Sequence, residues 1–266
     1  MSCEPIVRRS FLAACAACLS APLLHAQQAA TSVPPDPQTV DDLVAANRIL
    51  AQGGVFDAMG HVSVRHPRRP DRFLLARSVA PALVANGDIM EYDLESRPID
   101  ARGRNSYQER FIHSEIYRAR QDVKAIVHCH TPSLVPFSIS KVPLRPVFHM
   151  SSFVGEGVPV FEIRGSAGMT DMLVKDPMTG RALAQALGTR SSALMRGHGA
   201  VVAAPSLPLA VGRAVYLDLN AKIQMQAATL GGQPTYLDAE EARLATVPTQ
   251  YDRAWELWKK QVSQAR

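Results

Sequence analysis

Two histidines one residue apart, His128 and His130, end the β-branched apolar run Ala125-Ile126-Val127, and Pro132 stops the segment just beyond them. Such a run reads as a strand over 125–130, in which successive side chains alternate between faces. His128 and His130 therefore share a face, and Cys129 points to the other. Two imidazoles at a strand end can grip a metal ion from one rigid edge, but they need at least one more ligand. His198 is the natural third, because Gly197 and Gly199 on either side of it let the backbone turn tightly beside an ion. Three neutral imidazoles suit zinc and its neighbours, with a position left open for water or substrate, the pattern of a catalytic site. Spacing alone leaves a second reading open, in which the histidines are core or surface residues with no ion between them.

The elements that must hold these residues follow from patterning. Thr39 caps a helix carrying Leu43, Ala46 and Leu50, closed by Gly53-Gly54. Strands are expected at 61–65 and 72–76, joined by the turn His66-Pro67-Arg68-Arg69-Pro70-Asp71, and again at 88–92. Asn105 or Ser106 caps the next helix, on which Glu109, His113 and Tyr117 lie along one face at i, i+4 and i+8. Further strands are expected at 158–163, 192–195 and 200–203, and helices from Thr179 and from Ser206. Tyr251, Trp255, Trp258 and Val262 stripe a terminal helix as packing residues. A mixed sheet covered by helices on both sides accounts for this order.

The stretch 127–139, the later Met195-Arg196-Gly197-His198-Gly199-Ala200 and the upstream Gly60-His61-Val62-Ser63-Val64-Arg65 together resemble the class II aldolase/adducin superfamily. The resemblance runs from about residue 40 to about residue 230. It implies a three-layer α/β/α sandwich with a mixed, largely antiparallel central sheet. It also implies one divalent metal ion (zinc or manganese, with iron or cobalt as options) held by His128, His130, His198 and Glu109, and no organic cofactor. Glu109 stands where the family places a metal ligand or general acid/base. Read without the resemblance, it is a solvent-facing glutamate in a first helical turn. His113 is expected to pack or hydrogen-bond near the site, and Glu115 to be structural. The resemblance further implies a homotetramer with sites between subunits, where Tyr251, Trp255 or Trp258 would close a pocket.

Two departures from the sugar-phosphate aldolases bear on substrate. Where those enzymes carry a phosphate loop, this chain has Ala76-Arg77-Ser78-Val79, and a guanidinium with a neighbouring hydroxyl suits a planar carboxylate. Where they carry a catalytic tyrosine, it has His149-Met150. Both changes point to the branch that decarboxylates hydroxylated aromatic or pyridine carboxylic acids. Arg77, Ser78, His61 and Ser63 are the expected substrate contacts, and Glu109 and His149 the expected proton donors. The alternatives are an aldolase acting on a non-phosphorylated aldehyde adduct and a non-catalytic, adducin-like assembly module.

Composition agrees with a small-molecule enzyme. The chain has 266 residues, 47% hydrophobic and 20% charged, with a formal charge of +5 spread over scattered lysines and arginines. No basic run interleaved with aromatics suggests a nucleic-acid partner. Residues 1–26 read as a twin-arginine export signal, from Arg8-Arg9-Ser10-Phe11-Leu12 and the apolar stretch 11–24. That stretch is too short for stable membrane insertion. A Pro-rich linker is expected over 27–38 and the aldolase-like domain over 39–266, with the product exported to the periplasm. Three of the four cysteines fall in the signal, leaving Cys129 as an unpaired, packed thiol.

Overall fold

Short runs of β-branched and small apolar residues build the centre of the molecule, and glycine, proline and aspartate punctuate them. The computed structural model describes residues 1–2, 35–231 and 234–264, and the described residues from 35 onward gather into one unit. In chain order its elements begin with α1 (Pro37–Gln52), β1 (His61–Arg65), β2 (Arg72–Ala76), β3 (Ile89–Asp93), α2 (Arg110–Ala119), β4 (Ala125–Cys129) and α3 (Val135–Ile139). After a kinked 3₁₀ segment at His149–Val154 come β5 (Val160–Phe161), α4 (Arg164–Ala167), α5 (Pro177–Leu187), β6 (Ser192–Met195) and β7 (Gly199–Ala204). Three helices finish the fold: α6 (Leu207–Thr229), α7 (Ala239–Ala245) and α8 (Asp252–Gln264). The expected export signal over 1–26 and most of the expected linker lie outside the described residues.

The strands form a seven-stranded sheet in the order β3-β2-β1-β4-β7-β6-β5, antiparallel at every pairing except β5 with β6. Helix α1 lies on β1, and α6 on β4 and β7, with α8 packed over both helices. Helices α2 and α5 pair on the opposite face, where His113 of α2 meets the side chains of β1. This is the expected three-layer α/β/α sandwich with a mixed, largely antiparallel sheet. Its central strands are buried on both faces, so β4 and β7 are apolar throughout apart from His128.

The register decides what meets at the site. His61 stands directly opposite His128 across the β1–β4 pairing, so the two rings project from the same face. Ser63, two residues on, shares that face, while Val62 turns into the other layer. Cys129 also faces the other layer, where it is buried and free, and burial pushes its thiol pKa up.

Three expectations about elements are corrected. Helix α1 begins at Pro37, ahead of Thr39 and inside the expected linker. Helix α2 begins at Arg110, later than a cap at Asn105 or Ser106 would place it. The intervening residues are held by other bonds: the Tyr92 hydroxyl donates to Ser106 Oγ at 3.0 Å, and the Tyr107 hydroxyl donates to the Val79 carbonyl. Finally, of the three residues expected to close a neighbour's pocket, Tyr251 and Trp255 are 0% and 4% exposed within their own chain and so do not reach one, whereas Trp258 is half-buried. Tyr251 sits so tightly on α6 that a Cβ at Gly212 would fall 2.2 Å from its ring.

Candidate metal centre

Glu109, His128, His130 and His198 come together, each offering a ligand atom within 4.8 Å of all the others. Nε2 of His130 lies 3.1 Å from Nε2 of His128 and 3.1 Å from Nε2 of His198. Glu109 Oε2 lies 3.4 Å from the first of those partners and 3.5 Å from the second. A tetrahedron with metal–ligand bonds of about 2.0–2.1 Å has edges of about 3.3 Å, so the cluster has the size of a first coordination sphere.

The outer ring nitrogens settle the tautomers. His128 Nδ1 faces the Ala200 carbonyl at 3.1 Å, and His198 Nδ1 faces the Met172 carbonyl at 3.2 Å. His130 Nδ1 faces Asp57 Oδ2 at 3.2 Å. Carbonyls and carboxylates only accept, so each Nδ1 carries the proton and each neutral ring turns an Nε2 lone pair to the centre. Three lone pairs converging at this spacing repel one another unless a cation lies among them. The donor set therefore fits a divalent metal ion.

Local structure explains how each ligand arrives. His128 projects from the end of β4, and His130 follows where the strand stops. His198 lies in the tight β6–β7 hairpin, closed by its own N–H to the Met195 carbonyl at 3.0 Å. Gly197 adopts φ +61°, and a Cβ at Gly199 would collide with the Cys129 carbonyl oxygen at 2.0 Å. Glu109 is the cap residue of α2, and the Val174 N–H donates to its Oε1 at 3.0 Å, turning Oε2 to the histidines.

Electrostatics follow from packing. Burial opposes ionisation of Glu109, but the imidazoles of His128 and His198 overcome it and hold the carboxyl far below the usual range. Burial also works against a charge on His198, yet the Glu109 carboxylate prevails and raises its pKa. His130 is pushed down by burial and by its two histidine neighbours.

Behind the cluster lies a second polar group. His61 is 2% exposed, with Nδ1 2.7 Å from His113 Nε2. His113 Nδ1 is 2.6 Å from Ser63 Oγ, which is 2.8 Å from the Tyr117 hydroxyl. Burial lowers the pKa of His61 well below its ordinary value and that of His113 to about 3. Of the expected substrate contacts, His61 thus backs directly onto the centre, its ring 5.0 Å from that of His128. Ser63 does not reach substrate: it is fully buried and its hydroxyl is spent on His113 and Tyr117.

Arg77 and Ser78 follow β2. The Arg77 Nε donates to Asp88 Oδ1 at 2.6 Å, and its side chain remains 39% exposed. The neighbouring Val79 carbonyl is bonded to Tyr107, whose ring lies 4.7 Å from that of His61. His149 is exposed at the start of the His149–Val154 turn, which packs on α6 and α7. Asp57 was not foreseen. Its Oδ1 accepts from the Met59 and Gly60 N–H groups while Oδ2 orients His130, a role that an aspartate ahead of a Gly-His motif does not announce.

A fold of this topology carrying a three-histidine, one-glutamate cluster at the end of its central strands defines a class II aldolase-type lyase. Residues 41–225 match the family described as Class II Aldolase and Adducin N-terminal domain, and the chain belongs to that family. It is 35% identical to Decarboxylase tropJ of Talaromyces stipitatus, over 84% of this chain and 93% of that protein. It is 30% identical to the 3,4-dihydroxyphthalate decarboxylase of Arthrobacter keyseri, over 77% of this chain and 84% of that one. Among solved structures, an aldolase II superfamily protein from Pseudomonas syringae shares the fold with a TM-score of 0.75, 21% identity and coverage of 88% and 96% of the two chains. Named decarboxylases and aldolases among its relatives make the protein a lyase, in a divalent-metal-dependent family.

The relatives also correct the expectation of export to the periplasm, because they are mostly cytosolic enzymes. Among the described residues, no helix is long and apolar enough to cross a membrane.

Proposed function

We propose that this protein decarboxylates a hydroxylated aromatic or heterocyclic carboxylic acid, using one divalent metal ion held by His128, His130, His198 and Glu109. The observation that carries the reading is the convergence of three Nε2 lone pairs and a carboxylate oxygen at ligand spacing. The decarboxylase names of the relatives support the reaction type. Zinc and manganese suit this donor set, with iron and cobalt as further options.

Bound there, the ion would draw electron density from the substrate's hydroxyl and carboxylate oxygens as carbon dioxide leaves. Glu109 would give up its place at the ion as the substrate's oxygen enters the site and accept that oxygen's proton. The bond from ring carbon to carboxylate then breaks, and its electron pair stays on the carbon. Glu109 returns its proton to that carbon, and solvent supplies one proton to the product oxygen on release. Glu109 is the proton carrier proposed. Arg77, anchored by Asp88, and Ser78 beside it take the second polar end of the acid. Their loop is tied through Tyr107 to His61, which supports that placement. A homotetramer is the assembly proposed, from the family habit.

The test is a metal-reconstituted protein offered a panel of hydroxylated aromatic and pyridine carboxylic acids, read by mass spectrometry for loss of carbon dioxide. An aldehyde formed from hydroxy-acid or ketol adducts, with no acid losing carbon dioxide, would replace this reading with the aldolase one. Sedimentation of the active protein as a monomer would remove the tetramer.

A further inference from the structure

The chain of buried polar groups behind the centre has a direction. Tyr117 Oη, Ser63 Oγ, His113 and His61 are joined by three consecutive contacts of 2.8, 2.6 and 2.7 Å. Four neutral groups carry four transferable protons, and three contacts use three of them. The fourth is left on His61 Nε2, on the Tyr117 phenol, or on Ser63, whose oxygen can accept from both neighbours while its own O–H goes unused. In one direction Tyr117 donates to Ser63, Ser63 donates to His113 Nδ1, and His113 Nε2–H donates to His61 Nδ1. The spare proton is then on His61 Nε2. In the other direction every bond reverses and the spare proton is that of the Tyr117 phenol.

The surroundings choose between them. Tyr117 is fully buried, and among the described residues Ser63 Oγ is the one hydrogen-bond partner of its hydroxyl. The reversed chain, and equally one in which the fully buried Ser63 accepts from both neighbours, would therefore strand a buried O–H with no acceptor among the described residues, at a cost of about 1–3 kcal/mol. At the other end, His61 lies on the same sheet face as His128, with Nδ1 turned to α2 and Nε2 on the opposite edge of the ring. Among the described residues Nε2 has no hydrogen-bond partner, although the side chain is almost wholly buried. An N–H placed there is provided for by whatever enters the site.

We propose that Tyr117, Ser63 and His113 form a one-way hydrogen-bond chain that holds the proton of His61 on Nε2, making His61 a donor to an anionic oxygen of the substrate. His61 is the contacting residue. Ser63, His113 and Tyr117 are positioning residues that act through it. The acceptor, a carboxylate or phenolate oxygen of a hydroxylated cyclic acid, rests on the decarboxylase reading, whereas the direction of the chain rests on geometry alone. The site would accordingly favour an oxyanion at this position over a protonated hydroxyl, which also brings a hydrogen that the fixed donor cannot accept.

Neutron diffraction from deuterated, zinc-loaded protein reads the direction without turnover. Deuterium is expected on Nε2 of both His61 and His113; deuterium on His61 Nδ1 with a bare Nε2 overturns the proposal. Calorimetric binding of 2-hydroxybenzoate to the zinc-loaded protein reads the acceptor. His61→Ala should weaken it about tenfold, the loss of one hydrogen bond to an anion, with zinc content unchanged. Ser63→Ala breaks the chain without touching the probe, lets both tautomers of His61 populate, and should weaken binding about two- to threefold. Ser63→Thr keeps the hydroxyl and should restore it, which a purely packing role for this buried serine would not. Unchanged binding in both alanine variants, or no binding to the parent protein, overturns the acceptor. A screen in which no acid loses carbon dioxide would defeat the decarboxylase reading and leave the deuterium positions standing.

Discussion

Two polar clusters share the α2 side of the sheet and are built from similar residue types, the front one on β4, the β6–β7 hairpin and the start of α2, the rear one on β1 and α2. The front cluster, Glu109 with His128, His130 and His198, spends its outer nitrogens on the Ala200 and Met172 carbonyls and on Asp57, leaving its inner atoms facing one another. The rear cluster, His61, His113, Ser63 and Tyr117, pairs each polar atom with the next until one nitrogen remains. Histidines whose protons all point outward make a cation site, whereas histidines linked head to tail make a fixed dipole. Residue type does not separate the two cases; the partner of the second ring nitrogen does.

The largest expected effect comes from removing a front ligand. His130→Ala should abolish metal retention and turnover while circular dichroism shows the parent fold, because the ring is partly exposed and its loss opens no deep cavity. Stoichiometric metal and full turnover in that variant would end the comparison, since the front cluster would then be another satisfied network.

A gentler change at the same ligand sharpens it. Asp57→Asn keeps the size of the outer partner of His130 but removes its charge, and should lower metal affinity about 10- to 100-fold, measured by chelator competition. An unaltered affinity would mean that the tautomer of His130 is set elsewhere.

Arg77 tests how far the front region extends. Arg77→Lys keeps the charge but loses the planar fork, and should weaken binding of the acid by about 1.5–3 kcal/mol with metal content unchanged. Kinetics like the parent's in both Arg77→Lys and Arg77→Ala would place the carboxylate grip at another residue.

The smallest effect belongs to the rear cluster and is read as stability. The pKa of His113 is lowered to about 3 by burial, against about 6.5 in an unfolded chain. The unfolded chain therefore binds a proton that the folded one refuses. The stability tied to this residue is complete above about pH 6.5 and falls as the pH drops below it, by about 2 kcal/mol at pH 5. Urea midpoints of metal-free protein at pH 7 and pH 5 should show this loss, and His113→Gln should show less of it. Equal slopes in the two proteins would mean that His113 is not held neutral by its surroundings.

Much of the front cluster was legible in the chain itself. The strand leading into His128, the shared face of His128 and His130 and the glycines beside His198 are local signals, set by the two-residue period of a strand and by the space a backbone needs to turn. The face shared by Glu109, His113 and Tyr117 was legible for the same reason, although its three members went to different tasks: one to the ligands, two to the chain behind them. Where local signals erred, a distant bond had intervened. The start of α2 moved to Arg110 because Ser106 and Tyr107 are tied to Tyr92 and Val79. Ser63 left the substrate surface because α2 lies directly over β1.

The ligand types, their faces and the layer order were readable from the chain, because periodicity and turn chemistry act over a few residues. Which atoms carry the protons was set by the tertiary structure. It put the Ala200 and Met172 carbonyls and Asp57 behind the ligands, set His61 opposite His128, and left Tyr117 with Ser63 as its one hydroxyl partner among the described residues. Those decisions depend on strand register and helix packing between residues far apart in the chain, and a hydrogen bond exists only where both of its ends have been brought within about 3 Å.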